Sequence, residues 1–260
     1  MHLAHQKLFS HLCKDGAIVV IQTEYENLSP KKDREEYTKY PIYLYPLKDI
    51  KHLSGKMFIE LLKKEFPKLQ KIIVGFDFHF GYKASCDIIT LKDLFNGDVI
   101  VVDEYKIDNI AIHSRVIRSL LVDGNIETAN KMLGYYYKIK GNHISGQGLG
   151  AKSFVPTINI ETKRYLIPKD GVYVTKTIID DIEYHSISFI GHRETTDGRF
   201  AIETHILNSS DNLNIIKNPV TIKFYTKLRD NKKFNNFESL KKAIYIDIDN
   251  AKNYFNRYKK

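Results

Sequence analysis

Thr157 and Asn159 follow a run of alternating glycines, a pattern suited to holding phosphate and metal. The run Gly146-Gln147-Gly148-Leu149-Gly150-Ala151-Lys152-Ser153 places three glycines at alternate positions. Its backbone N–H groups can therefore approach an anion unobstructed. The chain continues into Phe154-Val155-Pro156-Thr157-Ile158-Asn159, a strand-like segment. Thr157 and Asn159 are two residues apart, so on a strand they face the same side. An oxygen pair facing a glycine loop suits Mg2+ and nucleotide phosphates. On glycine count alone, the same stretch reads as a mobile hairpin loop. A third group is needed, and Glu203 is the candidate. The segment Ala201-Ile202-Glu203-Thr204-His205-Ile206-Leu207 alternates, which puts Glu203, His205 and Leu207 on one face. Taken alone, Glu203 reads as a solvated face residue, as most carboxylates are. Beside a glycine loop and an oxygen pair, it becomes a candidate general base for phosphoryl transfer to a hydroxyl.

The first half offers a second, looser constellation. His2 and His5 fall on one face of an opening helix, where they can donate to a phosphate near its N-terminus. Without partners they read as exposed histidines on a frayed end. Asp77 sits in Gly75-Phe76-Asp77-Phe78-His79-Phe80-Gly81, a glycine-bracketed turn after an apolar run. In open α/β sheets, ligands bind at that edge. Ser114 can cap the next helix, and Arg115 or Arg118 can reach an anion near its start.

The elements that must position these groups differ between the two halves. Apolar runs at 17–21, 42–45, 71–74 and 99–102 read as buried strands. Helical patterns separate them: 54–66 with Ser54 as cap, 88–95, one through Leu120 and Leu121, and one from Asn125 to a stop at Gly134. This alternation predicts a parallel, doubly wound α/β domain over residues 1–134. After Gly134 come short strand candidates at 135–144, 155–160, 171–179, 182–190, 201–207 and 220–226, separated by turn residues. That texture predicts an antiparallel sandwich or small barrel over residues 135–260. A final helix over 236–255 carries one apolar stripe.

Hydrophobic residues make up 43% and charged residues 27% of the 260, which excludes a disordered chain. There is no membrane-length apolar run and no signal-peptide pattern, so a cytoplasmic location is expected. Two cysteines, Cys13 and Cys86, cannot form a disulfide framework and are expected to be buried or half-buried. The charge of +9 suits an anionic partner. However, the lysines are scattered, and that counts against a nucleic-acid-binding protein, the remote alternative.

With these motifs in place, the sequence resembles the bifunctional bacterial riboflavin kinase/FMN adenylyltransferase (FAD synthetase) family over essentially its whole length. GQGLGAKSFVPTINI is similar to the family's glycine loop and Pro-Thr-x-Asn motif. Pro168-Lys169-Asp170-Gly171-Val172-Tyr173 matches P-x-x-G-V-Y, and Glu203-Thr204-His205 matches E-x-H. Leu228-Arg229-Asp230-Asn231-Lys232-Lys233-Phe234 resembles L-R-x-E-x-K-F. In the first half, Val74 to Gly81 matches V-G-F-D-F-x-F-G, and His113-Ser114-Arg115-Val116-Ile117-Arg118 resembles S-S-T-x-I-R. Met1 to Gln6 is similar to the end of a G-x-F-D-G-x-H-x-G-H-Q motif.

The resemblance implies a Rossmann-like nucleotidylyltransferase domain followed by a six-stranded antiparallel riboflavin-kinase barrel with a C-terminal helix. It implies that riboflavin is phosphorylated to FMN, and FMN adenylylated to FAD, with Mg2+ and with ATP as co-substrate. Thr157 and Asn159 would hold the metal. Gly146, Gly148, Gly150, Lys152, Thr157, Asn159, Ser114 and Arg118 would hold ATP. Glu203, His2 and His5 would be catalytic, and Arg229 and Asp77 would bind flavin. No nucleic-acid or membrane partner is expected, and the chain is expected to be a monomer or weak oligomer.

The sequence also departs from the family pattern. It begins inside the histidine motif, so the first strand and its Phe-Asp-Gly turn lie outside it. Ala4 stands for a glycine, Arg115 for a threonine and Asn231 for a glutamate. Phe189 to Thr195 matches N-I-G-x-x-P-T only in part. A riboflavin kinase with an impaired adenylyltransferase domain is therefore the alternative reading.

Overall fold

The computed structural model describes residues 1–22, 28–145, 155–163, 165–208 and 219–257. The glycine loop residues Gly146, Gly148 and Gly150, together with Lys152, lie outside these described residues. The chain divides into two units, Met1–His113 and Ser114–Lys260.

In the first unit, helix α1 spans Leu3–Phe9. Strand β1 (Ile18–Gln22) pairs in parallel with β2 (Ile42–Pro46), and β3 (Lys71–Gly75) pairs in parallel with β4 (Asp98–Val102). The parallel pairing expected here is present as two separate two-stranded ladders; among the described residues no strand joins them. Helix α2 is a single turn, Leu47–Ile50, and α3 spans Gly55–Glu65. Ser54 caps α3 as its side chain accepts from the Met57 amide, satisfying one orphan donor of the first turn. Helix α4 (Ile88–Leu94) is capped in the same way by Asp87. The apolar stripe of α3, Phe58, Ile59 and Leu62, packs with Val74, Phe80, Leu91 and Phe95 into one core. A short hairpin, β5 (Lys106–Ile107) with β6 (Ile110–Ala111), was not predicted. Asp108 and Asn109 turn it with positive φ, a conformation that Asp and Asn tolerate. Cys86 is half-buried as expected. Cys13 is exposed instead, because α1 ends at Phe9 and leaves it in a surface turn.

The second unit opens with α5 (Ser114–Asp123) and α6 (Ile126–Leu133). Asn125 caps α6, and Gly134 ends it in the left-handed conformation, as the sequence predicts. Six strands then close a barrel: β7 (Lys138–Ile144), β8 (Ile158–Glu161), β9 (Gly171–Ile179), β10 (Ile182–His192), β11 (Phe200–Ile206) and β12 (Val220–Asp230). Their order around the barrel is β10-β11-β8-β7-β12-β9, with every neighbour antiparallel. Asn130 of α6 donates to the Phe224 carbonyl and accepts from the Tyr137 amide, fastening α6 to the barrel.

Strand alternation sorts the barrel residues into two sets. Thr175, Thr177, Ser186, Ser188 and Thr204 point inward and are fully buried. Their hydroxyls form a closed ring, Thr175–Ser186–Thr177–Thr204–Ser188–Thr175, with every step between 2.7 and 2.9 Å. Each hydroxyl can donate once and accept once, so the ring satisfies every buried O–H. Val172, Val174, Ile187 and Leu207 point outward and are covered by Ile248, Ala251 and Phe255 of helix α7 (Phe237–Arg257).

Candidate functional site

Glu203 lies on the outer face of β11, between the inward-facing Ile202 and Thr204. Across the β11–β8 ladder its direct partner is Asn159, so the two side chains share one face of the barrel. Asn159 is buried, and Thr157, immediately before β8, is half-buried. His205 binds this segment to β11: its Nδ1 lies 2.8 Å from the Pro156 carbonyl. A carbonyl only accepts, so Nδ1 carries the proton. Burial holds His205 below its ordinary pKa. The outer row continues to Leu207, where a small cleft of about 100 Å³ lies between the barrel and α7, lined by His185, Leu207, Asn208, Lys252, Phe255 and Asn256.

At the other end of the row, Arg193 Nη1 donates to Glu203 Oε1 at 3.1 Å. Burial raises the Glu203 pKa above the ordinary carboxylate value, and the Arg193 charge opposes that rise. Arg229 is placed by β12. Two bulges in the β12–β9 ladder bring it opposite Val172, on the outer face. From there it binds Asp247 of α7 through Nε at 2.9 Å and Nη2 at 2.7 Å. Its guanidinium also lies 5.6 Å from the centre of the Phe234 ring. Asn231 donates to the His192 carbonyl, and the Phe234 amide donates to Thr195. The end of β12 is thereby fastened to the segment that carries Arg193.

In the first unit, His2 is the N-cap of α1, and its ring stacks on that of His5 at 3.7 Å between centroids. Among the described residues, Nδ1 of both is buried without a hydrogen-bond partner. Burial pushes His2 down to about 2 and His5 to about 4, so both are neutral at physiological pH. Asp77 follows β3, and its Oδ2 lies 3.8 Å from His113, whose other ring nitrogen is 3.8 Å from Glu104. In the second unit, Ser114 begins α5 and Arg118 follows one turn later, both half-buried.

The riboflavin kinase family profile, Flavokinase, matches residues 133–255. A Pseudomonas fluorescens bifunctional riboflavin kinase/FMN adenylyltransferase is 29% identical over 78% of this chain and 66% of its own length. The protein of that name from Buchnera aphidicola subsp. Schizaphis graminum is 30% identical over 98% of this chain and 91% of its own. The chain belongs to the bifunctional riboflavin kinase/FMN adenylyltransferase family. A crystal structure titled as a macrolide-efflux protein from Streptococcus pneumoniae superposes with a TM-score of 0.85 at 26% identity, covering 97% of this chain and 90% of that one. Among the described residues here, no helix is long and apolar enough to cross a membrane.

Within a riboflavin kinase/FMN adenylyltransferase, the structure brings Glu203, Asn159 and the Thr157 segment together on one face. It places Arg229 in an ion pair with Asp247. Sequence reading missed Arg193, Asp197, Asp247, Glu104 and the part played by His113. Two of these had a signal. Asp247 interrupts the apolar stripe of α7, where a carboxylate needs a partner. Arg193 precedes the Asp197-Gly198 turn within the segment that matches the family only in part.

Proposed function

We propose that this chain phosphorylates riboflavin to FMN with ATP in residues 135–260, and adenylylates FMN to FAD with residues 1–134. The observation that carries the kinase reading is the pairing of Glu203 with Asn159 across β11 and β8, with Arg193 on the same carboxylate. Glu203 takes the proton of the ribityl 5′-hydroxyl. The oxygen attacks the γ-phosphorus of ATP, the bond to the β-phosphate oxygen breaks, and ADP leaves. Thr157 and Asn159 offer neutral oxygens, a donor set that fits Mg2+ when the phosphates supply the remaining ligands and the negative charge. Bound there, Mg2+ would neutralise charge on the phosphates. The glycine loop 146–150 and Lys152 complete the ATP contacts in this reading. Arg229, held by Asp247, lies beside the flavin.

In the adenylyl step, an FMN phosphate oxygen attacks the α-phosphorus of ATP and pyrophosphate leaves. His2 and His5, whose Nδ1 atoms are buried without a hydrogen-bond partner among the described residues, are the polar groups assigned to the phosphates in this reading. Asp77 contacts the flavin nucleotide in this reading. The test is incubation with riboflavin and Mg2+-ATP followed by separation of FMN from FAD. Both products are expected. FMN without FAD would restrict the reading to the kinase, and neither product would overturn it.

A further inference from the structure

Arg193 connects the Glu203 carboxylate to the turn after β10. Its Nη2 donates to Asp197 Oδ2 at 3.2 Å, and its Nε lies 3.1 Å from Asp197 Oδ1. Nη1 reaches Glu203 Oε1, while Oε2 makes no hydrogen bond among the described residues. Both side chains are well shielded, with 18% of Arg193 and 21% of Glu203 exposed. The turn closes without the guanidinium: the Arg193 amide donates to Arg199, and the Thr196 and Gly198 amides donate to the Arg193 carbonyl. The guanidinium adds to this turn its contacts with Asp197 and carries them on to Glu203.

We propose that Arg193 is a positioning residue for phosphoryl transfer: anchored by Asp197, it holds Oε1 of Glu203 and leaves Oε2 as the oxygen that takes the hydroxyl proton. The inference rests on the reading of Glu203 as the kinase base. A base takes a proton only when its oxygen is held within hydrogen-bond reach of the hydroxyl. Across the ladders Glu203 faces Asn159 on β8 and Phe189 on β10. Among the described residues, the contact that fixes its carboxylate is the Arg193 hydrogen bond to Oε1.

The experiment measures kcat and KM for riboflavin phosphorylation in the full chain, for wild type, R193K, R193Q and E203Q. R193Q loses the contact that holds Oε1, so kcat should fall on the order of tenfold with KM for riboflavin little changed. R193K keeps a donor and should recover part of that loss, and it carries the test if R193Q does not fold. Wild-type kcat in R193Q, or a loss confined to KM, overturns the inference. E203Q separates the two readings. If E203Q is inactive while R193Q and R193K turn over like wild type, only the role of Arg193 falls. If E203Q turns over like wild type, the kinase reading falls and takes this inference with it.

Discussion

Glu203 of β11 and Asn159 of β8 are direct cross-strand partners on the outer face of the barrel. A sheet pair of this kind fixes the distance between two side chains without needing either to be held by a loop. Replacing Glu203 by Gln keeps the shape and removes the base. FMN formation should fall by about 10²–10⁴-fold, while riboflavin binding, followed by flavin fluorescence, stays near wild type. Wild-type turnover would remove Glu203 from the proposed role.

The Arg229–Asp247 pair should matter to stability as well as to the site. Asp247 is buried on α7 and accepts from two guanidinium nitrogens. Arg229→Met leaves that carboxylate unpaired, which costs about 3–5 kcal/mol. Replacing both, as Arg229→Met with Asp247→Leu, should recover much of the loss in urea unfolding. Equal destabilisation by the single and double variants would argue against an unpaired buried charge as the cause.

The hydroxyl ring inside the barrel predicts non-additive substitutions. Thr177→Val deletes one member, leaves Ser186 and Thr204 each short of a partner, and should cost about 1–3 kcal/mol. Replacing all five hydroxyls by apolar residues of similar shape should be less harmful than the sum of the single changes, because no orphaned group remains. Strict additivity in denaturation measurements would rule out a coupled ring.

Acid should weaken the first unit through His2 and His5. Their folded pKa values, about 2 and about 4, lie below the ordinary 6.5. Below pH 6.5 the unfolded chain therefore binds protons that the folded unit refuses, and stability rises with pH across that window. The stabilisation is intact above the unfolded value and declines as pH falls from 6.5 towards 4 for His5 and 2 for His2. The urea midpoint should drop between neutral and mildly acidic pH, and His5→Gln should flatten the drop. An identical pH slope in that variant would mean that His5 does not titrate in this way.

The amino-acid sequence by itself determined what depends on neighbours along the chain. Ser54 and Asn125 cap their helices, Gly134 ends α6, and β9 runs from Gly171 to Ile179, as period and turn chemistry require. The alternation of Ala201 to Leu207 already separated Glu203 from Thr204. The β5–β6 hairpin escaped because two-residue strands are too short to show a period. What the tertiary structure alone decided is which strands are neighbours. That choice sets Asn159 opposite Glu203, closes a hydroxyl ring across β9, β10 and β11, and brings Asp247 to Arg229. It also turns Arg193 towards the carboxylate, and it buries the His2 and His5 nitrogens. Periodicity assigns a side chain to a face of its own strand. Only closure of the barrel, which fixes strand order and register together, determines what that side chain meets.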